Sequence, residues 1–252
     1  MSTEAKLEGK VFLVTGAARR IGAAIARRLH AAGASLMLHY RSAEADAQAL
    51  QRELNAVRAD SVALVQADLL HIAGLPILVK NTLARFERLD GLVNNASSFY
   101  ATPFGDIAQG DWEDLIGTNL KVPLFLSQAA APALKKTGGC IVNIVDIHAE
   151  RPLRNFAVYS VAKAGLAGLT RSLARELGPE VRVNGVSPGP VQWPDGDSVF
   201  DEVTRQRVVS HTVLKRVGEA DDVAGAVLYL VADAPYVTGQ IIAVDGGRSI
   251  NL

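Results

Sequence analysis

The chain has 252 residues, 49% of them hydrophobic, which is enough apolar material for one substantial buried core. Lysine plus arginine and aspartate plus glutamate balance at 26 each, so no global field draws nucleic acid or an anionic membrane surface. The single cysteine, Cys140, excludes an intramolecular disulfide and a thiolate metal cluster, and it suits a reducing compartment such as the cytoplasm. The polar opening "MSTEAKLEGK" and the short apolar run "VFLV" after it are read as neither signal peptide nor membrane span.

In chain order, short β-branched runs alternate with amphipathic stretches. "KVFLVTG" is the first strand candidate, and it leads through the turn "TGAARRIG" into a helix, "IGAAIARRLHAAG", that should close at the glycine cap Gly33. The strand "SLMLHY" precedes the helical "SAEADAQALQRELNAV", and the strands "SVALVQAD" and "LDGLVNNA" follow. "WEDLIGTNLKVPLFLSQAAAPALKK" reads as a long helix interrupted at Pro123, and "GCIVNIVD", "VRVNGVSPG" and "QIIAVDGG" supply the remaining strands. Their near-continuous apolar character fits parallel strands covered on both faces. The alternation predicts a single α/β domain over 1–252 of the Rossmann type. Its sheet is doubly wound, mainly parallel and seven-stranded, with helices on both faces and ligands at the strands' carboxyl ends. The Pro/Gly/Asp-rich "SPGPVQWPDGDSVF" opens a stretch, 189–212, expected to form a substrate lid.

The turn at residues 15–22 has the context of a phosphate-binding turn, between a strand and a helix. Gly16 permits the tight bend and Gly22 close helix–sheet packing. The helix start at Arg20 and Ile21 then offers unpaired N–H groups to a pyrophosphate. Turns of this kind usually carry a glycine where this one has Arg20, whose guanidinium can lie along the pyrophosphate and extend toward a substrate. The second strand ends in His39, Tyr40, Arg41 and Ser42, with no acid to grip a ribose diol. Arg41 and Ser42 can instead hydrogen-bond a 2′-phosphate, so the expected cofactor is NADPH. Asp68 and Leu69 after the third strand would meet the adenine. Asn95 and Ala96 after the fourth, with Pro188 and Gly189 after the sixth, would border the rest of the cofactor's path.

At the chemical end, "YSVAK" places Tyr159 and Lys163 one helical turn apart on a shared face. Tyrosine ordinarily titrates near about 10. An ammonium beside it, with an oxidised nicotinamide nearby, is expected to lower that value and fit Tyr159 for proton transfer.

The order of "TGAARRIG", "NNAS", Asn119, "YSVAK", "RVNGVSPG" and "VTGQIIAVDGG" resembles the short-chain dehydrogenase/reductase family over essentially the whole chain. The resemblance implies a nicotinamide-dependent oxidoreductase, normally a homotetramer. Tyr159 would be its proton donor and Lys163 would bind the ribose, while Asn119 would hold a water leading to Lys163. Where the family normally has a serine before the tyrosine, this chain has Asp146. An ionised aspartate only accepts hydrogen bonds and would repel a developing alkoxide, but it can relay a proton to a ring nitrogen. "TGAARRIG", "HYRS", "NNASSFY" and "VDIHAERPL" with "YSVAK" look like the pteridine reductase branch, which reduces pterins, dihydropterins and folates with NADPH. The likeness carries over Arg20, Ser97 and Phe99 as substrate-binding residues, with Asp146, Tyr159 and Lys163 as the catalytic set. Trp193 is expected to close over the ring. Three alternatives remain: a dihydromonapterin or dihydrofolate reductase of the family, a general carbonyl reductase, and a silent NADPH-binding protein. His148 and Arg151 are expected at the surface near the pocket mouth.

Overall fold

The computed structural model describes residues 6–193 and 201–251. Residues 194–200, the middle of the expected lid, lie outside the described residues. All seven expected strands are present: β1 (Val11–Val14), β2 (Ser35–Tyr40), β3 (Val62–Gln66), β4 (Gly91–Asn94), β5 (Cys140–Ile144), β6 (Arg182–Pro188) and β7 (Ile241–Val244). They form one parallel sheet in the order β3-β2-β1-β4-β5-β6-β7. The order reverses between β1 and β4, which is where a doubly wound sheet opens a crevice at its carboxyl edge.

Alternation along the strands divides the core in two. On β1, Phe12 and Val14 join one apolar cluster while Leu13 joins the other; on β5, Cys140 and Val142 face one way and Ile141 the other. The first cluster lies under α1 (Arg20–Ala31), α2 (Glu44–Val57) and α8 (Ala220–Leu228). The second lies under α3 (Leu75–Phe86) and α5 (Val122–Thr137), with the last turns of α6 (Ala157–Leu177) packed on its rim. Both faces are therefore dry, which is why the strands read as apolar runs rather than alternating ones.

Helix ends follow the local sequence. α1 stops at Ala31, and Gly33 takes a positive φ of 104° just beyond it. The long stretch expected to break at Pro123 does not break there. α4 (Gln109–Ile116) runs through a π-helical turn, Gly117–Lys121, straight into α5, and Pro123 sits in α5's first turn, where its missing N–H costs nothing. Pro132 lies inside α5 instead. β6 ends at Pro188, just before the expected lid, and within the lid residues 202–210 form a helix, α7 (Glu202–Ser210).

Close approach between β4 and β1 depends on Gly91: a Cβ there would run into the ring of Phe12, itself 2% exposed. Replacing Gly91 by alanine is expected to destabilise the fold by about 1–3 kcal/mol through overpacking. In urea titration the midpoint should fall while the slope stays the same.

Candidate active site

The crevice at the switch point is built by a mutual clamp between the β1–α1 turn and the end of β4. Thr15 Oγ1 accepts the backbone N–H groups of Asn95 (2.9 Å) and Ala96 (3.0 Å). In return, the Asn95 amide donates to the carbonyls of Thr15 (2.9 Å) and Gly16 (3.0 Å). Gly16 sits at φ 60° with its α-carbon against Ala96, and a Cβ at Gly22 would strike the Gly16 carbonyl oxygen. Both glycines are needed for the reasons the sequence suggested. Arg20 keeps a left-handed φ of 51°, so the backbone retains the bend of the usual glycine although the residue has changed.

His39 secures the turn from the other side. Its Nδ1 accepts the Gly16 N–H (3.1 Å), so Nε2 carries the proton and donates to the Ala67 carbonyl (3.1 Å). The ring is buried, and desolvation pushes it below histidine's ordinary range, its bond to Ala67 and the Asp68 charge opposing. His39 thus borders the crevice as a strut, joining the ends of β1, β2 and β3.

Around this frame the crevice is walled by Tyr40, Arg41 and Ser42 from the end of β2, with Asp68 and Leu69 after β3. Arg41, Ser42 and Asp68 are exposed, whereas Tyr40 and Leu69 are buried. Asp68 also accepts the N–H of Leu70 (3.0 Å), closing its own turn. Arg19, which the sequence reading passed over for its neighbour, lines the same wall and forms an ion pair with Asp46 of α2 (2.5 Å). No side chain caps the N-terminus of α1, and no acid lies in its first turn. Arg19 is neutralised by Asp46, which leaves Arg20 and the uncapped amides at the positive end of the helix dipole as the groups an anion would satisfy.

A second cavity adjoins the first and shares Arg20, Ile21, Asn95 and Ser97 with it. Pro188 and Gly189 line this cavity rather than the first. At its head, the chain leaves β5 and extends through Asp146 at φ −172°. Asp146 Oδ1 accepts the His148 N–H (2.8 Å), capping a short 3₁₀ turn, and Oδ2 accepts the Tyr159 hydroxyl (2.8 Å). Each oxygen has a fixed partner, so the carboxylate is held in one orientation. Lys163, one turn along α6, is buried; its Nζ donates to the Ile144 carbonyl (2.9 Å) and lies 5.6 Å from the Tyr159 ring centre.

Burial, and then the Asp146 carboxylate, push the Tyr159 phenol well above its ordinary value. Burial draws Lys163 down to about 8, the Asp146 charge opposing. The Tyr159 hydroxyl donates its proton in the hydrogen bond to Asp146.

The remaining expected residues are also gathered here. Ser97 Oγ donates to Asn119 Oδ1 (2.6 Å), and the Asn119 amide donates to the carbonyls of Ser98 and Leu115 (both 2.9 Å) from within the π-helical turn. Phe99 stacks on Phe156 (4.7 Å between centres) and meets Tyr159 edge-on (4.8 Å), so it both packs in a small aromatic cluster and lines the cavity. Trp193 lines the cavity with the Arg205 guanidinium over its ring at 5.4 Å. His148 lines it too, its Nδ1 bonded to the Arg151 carbonyl (2.8 Å), while the Arg151 side chain is exposed. Two lining residues, Gln192 and Arg248, carried no motif that sequence reading could use. Arg20 Nη2 donates to the Gln192 carbonyl (2.9 Å), bridging the two cavities.

Comparison with known proteins agrees with this geometry. A family model described as enoyl-(acyl carrier protein) reductase matches residues 16–249. Pteridine reductase 1 of Leishmania tarentolae is 40% identical over 95% of this chain and 96% of its own length. A 3-oxoacyl-(acyl-carrier-protein) reductase of Staphylococcus aureus is 35% identical over 94% of this chain and 97% of its own. Among solved structures, a blue fluorescent protein from a metagenomic library in complex with NADPH superposes with a TM-score of 0.90 at 38% identity, covering 96% of this chain and 99% of that one. A strand-order reversal with a phosphate turn on one side and a tyrosine–lysine pair on the other defines a Rossmann-type oxidoreductase. The chain belongs to the short-chain dehydrogenase/reductase family.

Because His39 is buried neutral, its contribution to stability is complete above histidine's ordinary value of about 6.5 and is lost as pH falls below it. His30, buried against Ser61 and lowered by the same cause, acts in the same sense. A His39→Gln variant is therefore expected to lose less unfolding free energy than the parent between about pH 7 and pH 5, as read by chemical denaturation.

Proposed function

We propose that the protein is an NADPH-dependent pteridine reductase. It delivers hydride to a C=N bond of a pterin, dihydropterin or folate and a proton to the ring nitrogen. The crevice residues fit the cofactor. The uncapped start of α1, with Arg20 as its first residue, fits a pyrophosphate, and Gly16 and Gly22 leave no room for a side chain where the turn must stay close. Arg19, Arg41 and Ser42 offer donors to a 2′-phosphate, and no acid stands at the end of β2 to repel it. The relative solved with NADPH supports the same choice. When bound, NADPH supplies the hydride.

The observation that carries the substrate assignment is the Tyr159 hydroxyl bonded to the Asp146 carboxylate at 2.8 Å. Relatives named for 3-oxoacyl reduction keep a carbonyl reductase in view, but a fixed carboxylate opposes negative charge growing on a ketone oxygen. A ring nitrogen gaining a proton meets the opposite situation. Asp146 Oδ2 receives the Tyr159 proton and passes it to the nitrogen, and the nearby Lys163 ammonium stabilises the phenolate left behind. Arg20 and Ser97, shared by both cavities, orient the heterocycle beside the cofactor, and Phe99 offers an aromatic surface to it. Asn119 holds Ser97 in place. Trp193 and α7 belong to a lid over 189–212, and the active form is a homotetramer, as is usual in the family.

Two measurements test this reading. Asp146→Ser is expected to lower the rate of NADPH oxidation with dihydrobiopterin by about 100-fold or more, while reduction of a simple ketone is spared or improved. Full pterin activity in that variant removes the proton-relay role. For the cofactor, Arg41→Asp places a carboxylate at the end of β2. It should reduce kcat/KM for NADPH by about 10- to 100-fold and leave NADH little affected, measured as paired steady-state curves.

A further inference from the structure

The cavity containing Asp146 has a second charged wall that the chemistry above does not use. β7 ends at Val244, and the chain turns sharply through Gly246 and Gly247, at φ 61° and 77°. Asp245 fixes this turn by accepting the N–H groups of Gly247 (2.8 Å) and Ser249 (2.7 Å). Its carboxylate is thus committed to the backbone and does not pair with Arg248, the residue the turn presents to the cavity. Arg248 is half-buried, and Nη1 donates to the Val208 carbonyl (3.0 Å) in the last turn of α7. Among the described residues no carboxylate lies within ion-pair distance of it.

A guanidinium has five N–H donors arranged to meet the two oxygens of an oxyanion. Here one side-chain hydrogen bond is formed within the protein, to Val208, and the half-buried residue lines the cavity. Burial makes the charge costly and the neighbouring Arg207 adds to that cost, while the Asp245 charge offsets part of it without forming an ion pair. The cofactor's phosphates do not answer this need, because Arg248 lines the second cavity and not the crevice that carries Arg41 and Ser42.

We propose that Arg248 forms an anion subsite in the substrate cavity, so that the preferred substrate carries a carboxylate or phosphate on the side chain of its ring. This rests on the pterin reading above, and it adds to it the charge class of the substrate's tail. Arg207 reinforces the field of this subsite, and the bond to Val208 holds the guanidinium in place for its ligand.

The test compares the parent with Arg248→Gln and Arg248→Lys. Three NADPH-dependent reactions are followed: biopterin with its neutral tail, pteroylglutamate with carboxylates, and neopterin monophosphate. The parent should prefer at least one charged substrate. In Arg248→Gln that preference, taken as the ratio of kcat/KM for charged over neutral, should fall about tenfold or more, chiefly through KM, and Arg248→Lys should recover part of it. Whichever charged substrate loses its advantage identifies the anion. A role confined to anchoring α7 lowers all three reactions together and leaves the ratio unchanged, which overturns the subsite. Calorimetric titration of the NADPH-loaded protein with p-aminobenzoylglutamate, which lacks the pterin ring, separates the two proposals. If no pterin is reduced, the functional reading fails while this titration still decides the subsite. The same titration is run with inorganic phosphate; binding of either probe weakened by Arg248→Gln upholds the subsite, and absence of binding of both to the parent ends it.

Discussion

The Asn95 amide, donating to the carbonyls of Thr15 and Gly16, is the contact on which the rest of the molecule's organisation depends. It joins the two strand ends on either side of the reversal in strand order, and Thr15 answers it with two bonds in the opposite direction. Four hydrogen bonds in so small a space leave the turn little freedom, and Gly22 lets α1 settle directly on it. The first-turn amides of α1 are therefore presented at a fixed place without a flexible loop to order. Such preorganisation lowers the entropy cost of holding an extended dinucleotide. The Asn95 amide is engaged with the turn itself while the residue lines both cavities, so it shapes the crevice it borders.

The acid–base pair shows how local charge decides what a familiar motif does. A tyrosine and a lysine one turn apart lead one to expect a phenol that ionises readily. Burial of the ring, and then the carboxylate at 2.8 Å, act in the opposite direction. Lys163 cannot compensate fully, because burial weakens its own hold on a proton. The Tyr159 side chain thus stands between the two charges, its hydroxyl bonded to Asp146 and its ring beside Lys163.

Much of this was legible in the sequence because it is governed by short-range rules. Strand positions followed from apolar runs, the phosphate turn from glycines between a strand and a helix, and the Tyr159–Lys163 pair from helical spacing. What the sequence did not disclose was set by contacts between distant segments. Pro123 signals a break in isolation, yet the π-helical turn ahead of it lets the helix continue and places it where proline is harmless. His39 was grouped with residues facing the cofactor, and only the approach of Gly16 and Ala67 turns its ring into a strut. Arg248 belongs to no motif, and its place in the cavity depends on how the turn after β7 meets α7.

The position of β1 in the sheet also bears on how the protein is made. β1 is complete at Val14, and β2 pairs with one of its edges soon afterwards, but the partner for its other edge begins only at Gly91. Throughout that interval on the ribosome, the edge of β1 that will carry half of the crevice has no neighbour in this sheet. An apolar strand with a bare edge is prone to pair with other chains. Emergence of β4 covers that edge of β1, and the same event brings Asn95 to Thr15.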